Sequence, residues 1–169
     1  MLYPGMSMRR LALLVCLLLL LPGCYQVEGE PVATAAARRV GGVRDGLYRR
    51  PDGVEVTVRW NAAQRQYDIE STVGPGGTAR AAPLGGRFYL VQYQDAARLS
   101  LLAAMDGDDV VLYAPAKAAE RRLATAHGLT LRAGPIPLLG GKASEVAAFF
   151  QDMATSGEFA EGGRLVFLK

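Results

Sequence analysis

The sequence is short of the side chains on which most enzymes depend. Among 169 residues there is one histidine, His127, and there are two cysteines, Cys16 and Cys24. Zinc centres draw on several Cys and His ligands, so no zinc ligand set exists here. A nucleophile–histidine–acid triad would have to pair His127 with Ser71, Ser100, Ser144 or Ser156. None of those serines lies in a Gly-x-Ser-x-Gly turn. His127 has a simpler reading at the end of a predicted helix, where an imidazole meets the negative pole of the dipole. Apolar runs of roughly 17–25 residues, the length of a membrane-spanning helix, are missing too; the longest, Leu11 to Leu21, has eleven. Nor is there an excess of one charge. The pI near 9.0 owes much to Arg9 and Arg10, without which 17 basic side chains face 16 acidic ones. A nucleic-acid binder needs a strong basic face, which excludes nucleic acid as a partner.

What is present begins with an export signal. Met8-Arg9-Arg10 is a short positive segment, and the eleven-residue run after it has the length of a signal-peptide core, about 7–15 residues. Met1 to Ser7 adds nothing such a signal needs, so Met1, Met6 and Met8 are all available starts. The residues flanking Arg9-Arg10 fit a twin-arginine signal poorly, which favours the general secretory route. Leu21-Pro22-Gly23-Cys24 then resembles the lipobox of bacterial lipoproteins, with Pro22 standing where a small residue such as Ala or Ser is more usual. The resemblance implies removal of residues 1–23, a thioether-linked diacylglycerol on Cys24 and acylation of the new amine. Two or more acyl chains anchor a protein stably to a membrane. Enteric lipoproteins kept at the inner membrane resemble one another in having Asp after the cysteine. Tyr25 here implies the outer membrane facing the periplasm, with the inner membrane as the alternative.

With Cys16 removed and Cys24 acylated, the mature chain has no thiol for a disulfide. It must be held by its core alone. Residues 24–43, with no apolar period, read as the lipidated cysteine and a flexible tether. Residues 44–169 read as a single domain, long enough to stand without covalent staples. Charge is uneven along the chain: residues 38–65 hold seven arginines against Asp45, Asp52 and Glu55. Arg38, Arg39, Arg49, Arg50 and Arg59 are therefore candidates for contact with a partner or an anionic membrane surface, where each basic residue gains about 1 kcal/mol. A solvated strand face beside a tether is the alternative.

Within the domain the pattern is first of period two. Val54, Val56, Val58 and Trp60 alternate with polar residues, as do Tyr67, Ile69, Ser71 and Val73, predicting a hairpin of half-buried strands. Gly74-Pro75-Gly76-Gly77 and Gly85-Gly86 break the chain around a short weak strand. Phe88–Tyr93 and Leu99–Met105 are apolar on both faces and read as central strands. Asp106-Gly107 turns the chain into Val110–Tyr113. One helix is expected from Pro115 to His127, stopped by Gly128. A second should start at Ser144, with Val146, Phe149, Phe150 and Met153 forming an apolar stripe. Leu129–Arg132 and Arg164–Leu168 read as further strands. The expected fold is α+β: an antiparallel meander of about six to seven strands with two amphipathic helices in the C-terminal half.

Two local patterns resemble sites but miss their requirements. Asp106-Gly107-Asp108-Asp109 lacks the ligand spacing and terminal glutamate of a calcium loop. Gly140-Gly141-Lys142-Ala143-Ser144 lacks the glycine a phosphate loop needs at position 136, which is Ile136. No cofactor is implied. Trp60, Tyr67, Phe88, Tyr89, Tyr93 and Tyr113 are either sheet core or the lining of a ligand cavity. Function is expected to be non-catalytic binding of an envelope protein, cell-wall or lipid component by a membrane-anchored lipoprotein. The alternatives are a carrier of a small hydrophobic ligand and, third, an envelope enzyme. A closed apolar cavity favours the carrier, and an exposed apolar patch favours the partner-binder.

Overall fold

The computed structural model describes residues 22–169, and the expected signal run up to Leu21 lies outside the described residues. In chain order the strands are β1 (Tyr25–Gln26), β2 (Gly46–Arg49), β3 (Glu55–Asn61), β4 (Gln66–Ser71), β5 (Gly77–Gly85), β6 (Phe88–Gln94), β7 (Arg98–Asp106) and β8 (Asp109–Pro115). Then come helix α1 (Lys117–Ala126), β9 (Thr130–Arg132), β10 (Leu138–Gly140), helix α2 (Ala143–Ser156) and β11 (Phe159–Phe167). From β2 to β8 each strand pairs antiparallel with the next. β11 returns between β8 and β2, pairing antiparallel with both. Those eight strands therefore close a barrel.

The open α+β meander is corrected by this closure. The molecule is mostly β, and its two short helices lie outside the barrel. The reason is physical: an open meander and a barrel share the same period of two, and differ only in whether the outermost strands meet. The meeting depends on β2, whose Gly-Leu-Tyr-Arg offers one fully buried side chain, Tyr48. The seam is short. Arg49 faces Val166 and Tyr48 faces Phe167; Leu47 then donates its N–H to the Lys169 carbonyl and accepts one from Leu168.

Alternation divides the side chains between inside and outside. Val56, Val58, Tyr67, Ala79, Ala81 and Tyr48 point inward as one buried cluster. Leu90, Leu102, Ala104 and Val111 point outward into a second cluster, covered by Leu123 of α1 and Val146, Phe149, Phe150 and Met153 of α2. That explains why β6 and β7 read as apolar on both faces. They are covered by the barrel interior on one side and helices on the other, not by neighbours in an open sheet. The predicted stripe of α2 is fully buried, as its spacing requires.

Most element ends moved by a residue or two, but β11 begins at Phe159, five residues before the expected Arg164. Pro115 closes β8 and does not open α1. α2 starts before Ser144, and Glu145 accepts the free Lys142 N–H at 3.1 Å. Residues 24–43, expected as a flexible tether, are wrapped on the barrel. Val27, Val32, Ala37 and Val40 are buried, and Val32 donates its N–H to Gln92 at 3.1 Å. β1 pairs with β7 at the end where β8 has left it, Tyr25 facing Ser100 and Gln26 facing Leu99, and runs parallel to β10 on its other side.

Candidate functional site

The barrel interior is not filled. It holds a partly open cavity of about 260 Å³ whose walls are overwhelmingly apolar. The space exists because three positions that could carry large side chains carry methyls. Ala79 and Ala81 on β5 and Ala103 on β7 all line it, together with Val56, Val58, Val91 and Val110. Tyr48, Tyr67, Tyr89 and Tyr93 supply rings to the same wall. Of the six aromatic residues with two readings, Tyr67, Tyr89 and Tyr93 line the cavity, and Trp60 packs edge-on against Tyr67 with centroids 4.9 Å apart. Phe88 and Tyr113 instead join the outer core with Phe159.

The two ends of the barrel differ. The β2–β3, β4–β5 and β6–β7 turns share one end by antiparallel alternation. They contribute the few polar groups of the lining: Arg50, Ser71 and Asp95, with Tyr93 beside them. Arg50 is paired with Asp52 at 2.9 Å. At the other end the chain before β2 folds across the opening, placing Val40 and Val43 against the interior. Val40 donates its N–H to the Tyr67 hydroxyl at 2.7 Å, and the Tyr48 hydroxyl bonds the backbone of Arg44 at 2.9 and 3.0 Å. Burial pushes the Tyr67 phenol up to about 12, and raises those of Tyr48 and Tyr93. The phenols of Tyr48, Tyr67 and Tyr93 are thereby held in their neutral form.

Cys24 belongs to this cavity. It is buried, with Leu101, Ala103, Leu112 and Ile136 around it, and it lines the same interior space. Burial pushes its thiol up to about 12, so in the folded chain it is not a nucleophile. The next residue faces the opposite way, as strand alternation demands. Tyr25 enters the outer core, with its ring edge-on to Phe149 and Phe150 at 5.7 and 5.9 Å. Its hydroxyl donates to Glu120 Oε1 at 2.6 Å, and Lys117 Nζ lies 3.2 Å from the same carboxylate. Before them the chain threads a tight slot. Gly23 has φ of +93°, and a side chain there would strike the Tyr113 carbonyl. At Gly162 a side chain would strike the Pro22 carbonyl.

The other sequence candidates are spread out. Arg38 donates to the Ala35 and Ala37 carbonyls at 2.7 and 2.9 Å, and Arg39 pairs with Asp45 at 3.1 Å. Arg49 and Arg59 stand on neighbouring strands 3.9 Å from Glu55 and 3.6 Å from Glu70. Arg50 alone reaches the cavity. Each of the five thus has an acid or a carbonyl partner. Asp106 and Asp109 are held by Arg164 at 2.9 and 3.4 Å, and Asp108 by Arg44 at 3.1 Å. Among the described residues no three His, Cys, Asp or Glu side chains are grouped to hold a metal ion. His127 caps α1 through its backbone, and its ring meets Asp152 at 2.8 Å on the surface. Gly140 belongs to β10, so the phosphate-loop lookalike crosses a strand end. Exposed large apolar side chains number two among the described residues, Val73 and Val166.

The inward positions of β3 and β4 were visible as one face of alternating strands. The Cys24 lining and the Val40–Val43 plug were not, because both come from a stretch with no period. Compared with known proteins, the chain matches no family model, no curated protein and no solved structure.

Proposed function

We propose that this barrel carries a small hydrophobic ligand in its interior, as a non-catalytic lipoprotein of the cell envelope anchored through Cys24. The observation that carries the reading is the apolar cavity of about 260 Å³, close to the lower end of the ~300–1,000 Å³ common for small-molecule sites. A methylene takes up about as much room as the ~30 Å³ of a liquid water molecule. On that scale the cavity holds roughly eight or nine methylenes. The polar lining is confined to one end, so the fitting ligand is an amphiphile: an apolar body among Ala79, Ala81 and Val91, and a polar end near Arg50 and Tyr93. Partner capture by an apolar surface has less support, since the two exposed large apolar side chains among the described residues are single valines. The resemblance of Leu21-Pro22-Gly23-Cys24 to a lipobox supports the anchor, and Tyr25 after it supports an outer-membrane location facing the periplasm.

The test is titration of the chain with N-phenyl-1-naphthylamine, whose fluorescence rises in apolar surroundings. Saturable binding of one probe per chain is expected, displaced by a medium-chain fatty acid. The double change Ala81→Leu and Ala103→Leu fills the cavity and should weaken binding at least tenfold while leaving the β-sheet circular dichroism intact. Binding that neither saturates nor responds to those changes rejects the carrier reading.

A further inference from the structure

We propose that the resident occupant of the barrel is an acyl chain of the protein's own Cys24 lipid. This rests on the reading of the barrel as a hydrophobic-ligand carrier anchored at Cys24. The observation behind it is positional. A lipidated cysteine at the start of a mature chain needs no particular place in the fold, and a flexible tether would leave it in the bilayer. Here Cys24 lines the apolar cavity of the barrel, next to Leu101, Ala103 and Leu112. Its neighbour Tyr25 is fastened on the outside by Glu120, Phe149 and Phe150. A chain attached to that sulfur is held beside the cavity at high local concentration, which favours it over free ligands without any added contact.

The lipid is joined when the sulfur bonds to the glyceryl carbon of a phospholipid. The carbon–oxygen bond to the headgroup phosphate breaks, and the thiol proton leaves with that phosphate. A buried thiol cannot do this, so acylation comes before β1 docks. Removal of Pro22 and Gly23 then clears the slot beside Tyr113 and Gly162 that they fill in the precursor. The cavity has room for part of one chain, and the cleared slot gives the remaining chains a path outward to the membrane. Two states follow: one chain inside with the barrel drawn to the membrane, or all chains in the bilayer and the cavity open to a ligand.

The experiment uses the lipidated protein in living bacteria. Cells are fed a fatty acid bearing a diazirine and an alkyne, irradiated, and the protein purified and digested for mass spectrometry. Label on the Cys24 peptide together with light-dependent adducts on residues of β7 and β8 within the same chain supports the proposal. Label on Cys24 with adducts only to phospholipid overturns cis occupancy and leaves the carrier reading standing. Absence of label from Cys24 overturns both the anchor and the proposal. The Ala103→Phe variant should keep the Cys24 label and lose most interior adducts, at least fivefold; adducts unchanged by it would place the chain outside the cavity and overturn the proposal. Adducts from the free fatty acid on the Cys24→Ala chain report ligand binding separately.

Discussion

Replacing Tyr25 by phenylalanine removes one hydroxyl and keeps the ring that packs on Phe149 and Phe150. The lost hydrogen bond runs to a carboxylate, Glu120 Oε1, at 2.6 Å in a buried setting. Hydrogen bonds to charged groups contribute about 1.5–3 kcal/mol. Glu120 keeps Lys117 at 3.2 Å, so the carboxylate is not stranded and the upper part of that range does not apply in full. β1 pairs through two residues with β7 and one with β10, so the loss falls on local opening of β1 more than on the barrel. Every 1.4 kcal/mol changes an equilibrium tenfold, and opening should rise roughly 10- to 100-fold. The reporter is Cys24, which reacts only when β1 lifts. In unacylated chain carrying Cys16→Ser, native-state labelling by iodoacetamide should accelerate by that factor, with the denaturant midpoint of the barrel nearly unchanged. An unaltered labelling rate would refute the role given to the Tyr25–Glu120 bond. A rate that rises only in step with lost global stability would show that β1 does not open independently.

Three further outcomes are expected. Phe150→Ala empties a fully buried site and should cost about 3–5 kcal/mol, lowering Tm by roughly 10 °C in a thermal melt; unchanged melting would mean the α2 stripe is not core. Tyr67 holds its proton up to about 12 when folded against an ordinary value of 10.0, and Tyr25, Tyr48 and Tyr93 are raised likewise. Their contribution to stability is whole below pH 10 and is lost as pH rises towards 12. Cooperative unfolding should therefore coincide with tyrosinate absorbance at alkaline pH, and gradual ionisation without unfolding would contradict it. His127→Ala removes a surface pair with Asp152 and should leave probe binding unchanged, a loss of binding being the contrary result.

Several parts of this fold are written in local pattern. Val56 and Val58 against Glu55 and Thr57, or Phe149 and Phe150 three and four residues beyond Val146, place strands and helix because burial of one face is a local periodic property. Closure is different. Nothing in Gly46-Leu47-Tyr48-Arg49 names β11 as its neighbour, since the pairing is decided by strand tilt and stagger around the whole barrel. The wrapped segment of residues 24–43 is harder still. Val27, Val32, Ala37 and Val40 are single apolar residues at irregular spacing, each filling a depression offered by structure far along the chain. The cavity depends on what is missing from Ala79, Ala81 and Ala103, and small residues in strands look alike whether they face a void or a neighbour. Leu21-Pro22-Gly23-Cys24 resembles a lipobox in sequence, but nothing in that pattern tells that Cys24 lines the barrel interior.

The covering of Cys24 comes from residues that arrive late. Leu101, Ala103 and Leu112 form its walls, Ile136 closes over it, and Phe149 and Phe150 grip the tyrosine next door. A chain made amino end first cannot shelter its cysteine until those residues have followed. At synthesis rates of about 5–20 residues per second, the roughly 125 residues between Cys24 and Phe150 take on the order of 6–25 s. For that interval the thiol stands free, and then the barrel shuts it away. On the proposed lipidation the fold acts as a clock for that modification, and a chain that misses the interval ends as a folded molecule whose thiol can no longer be reached.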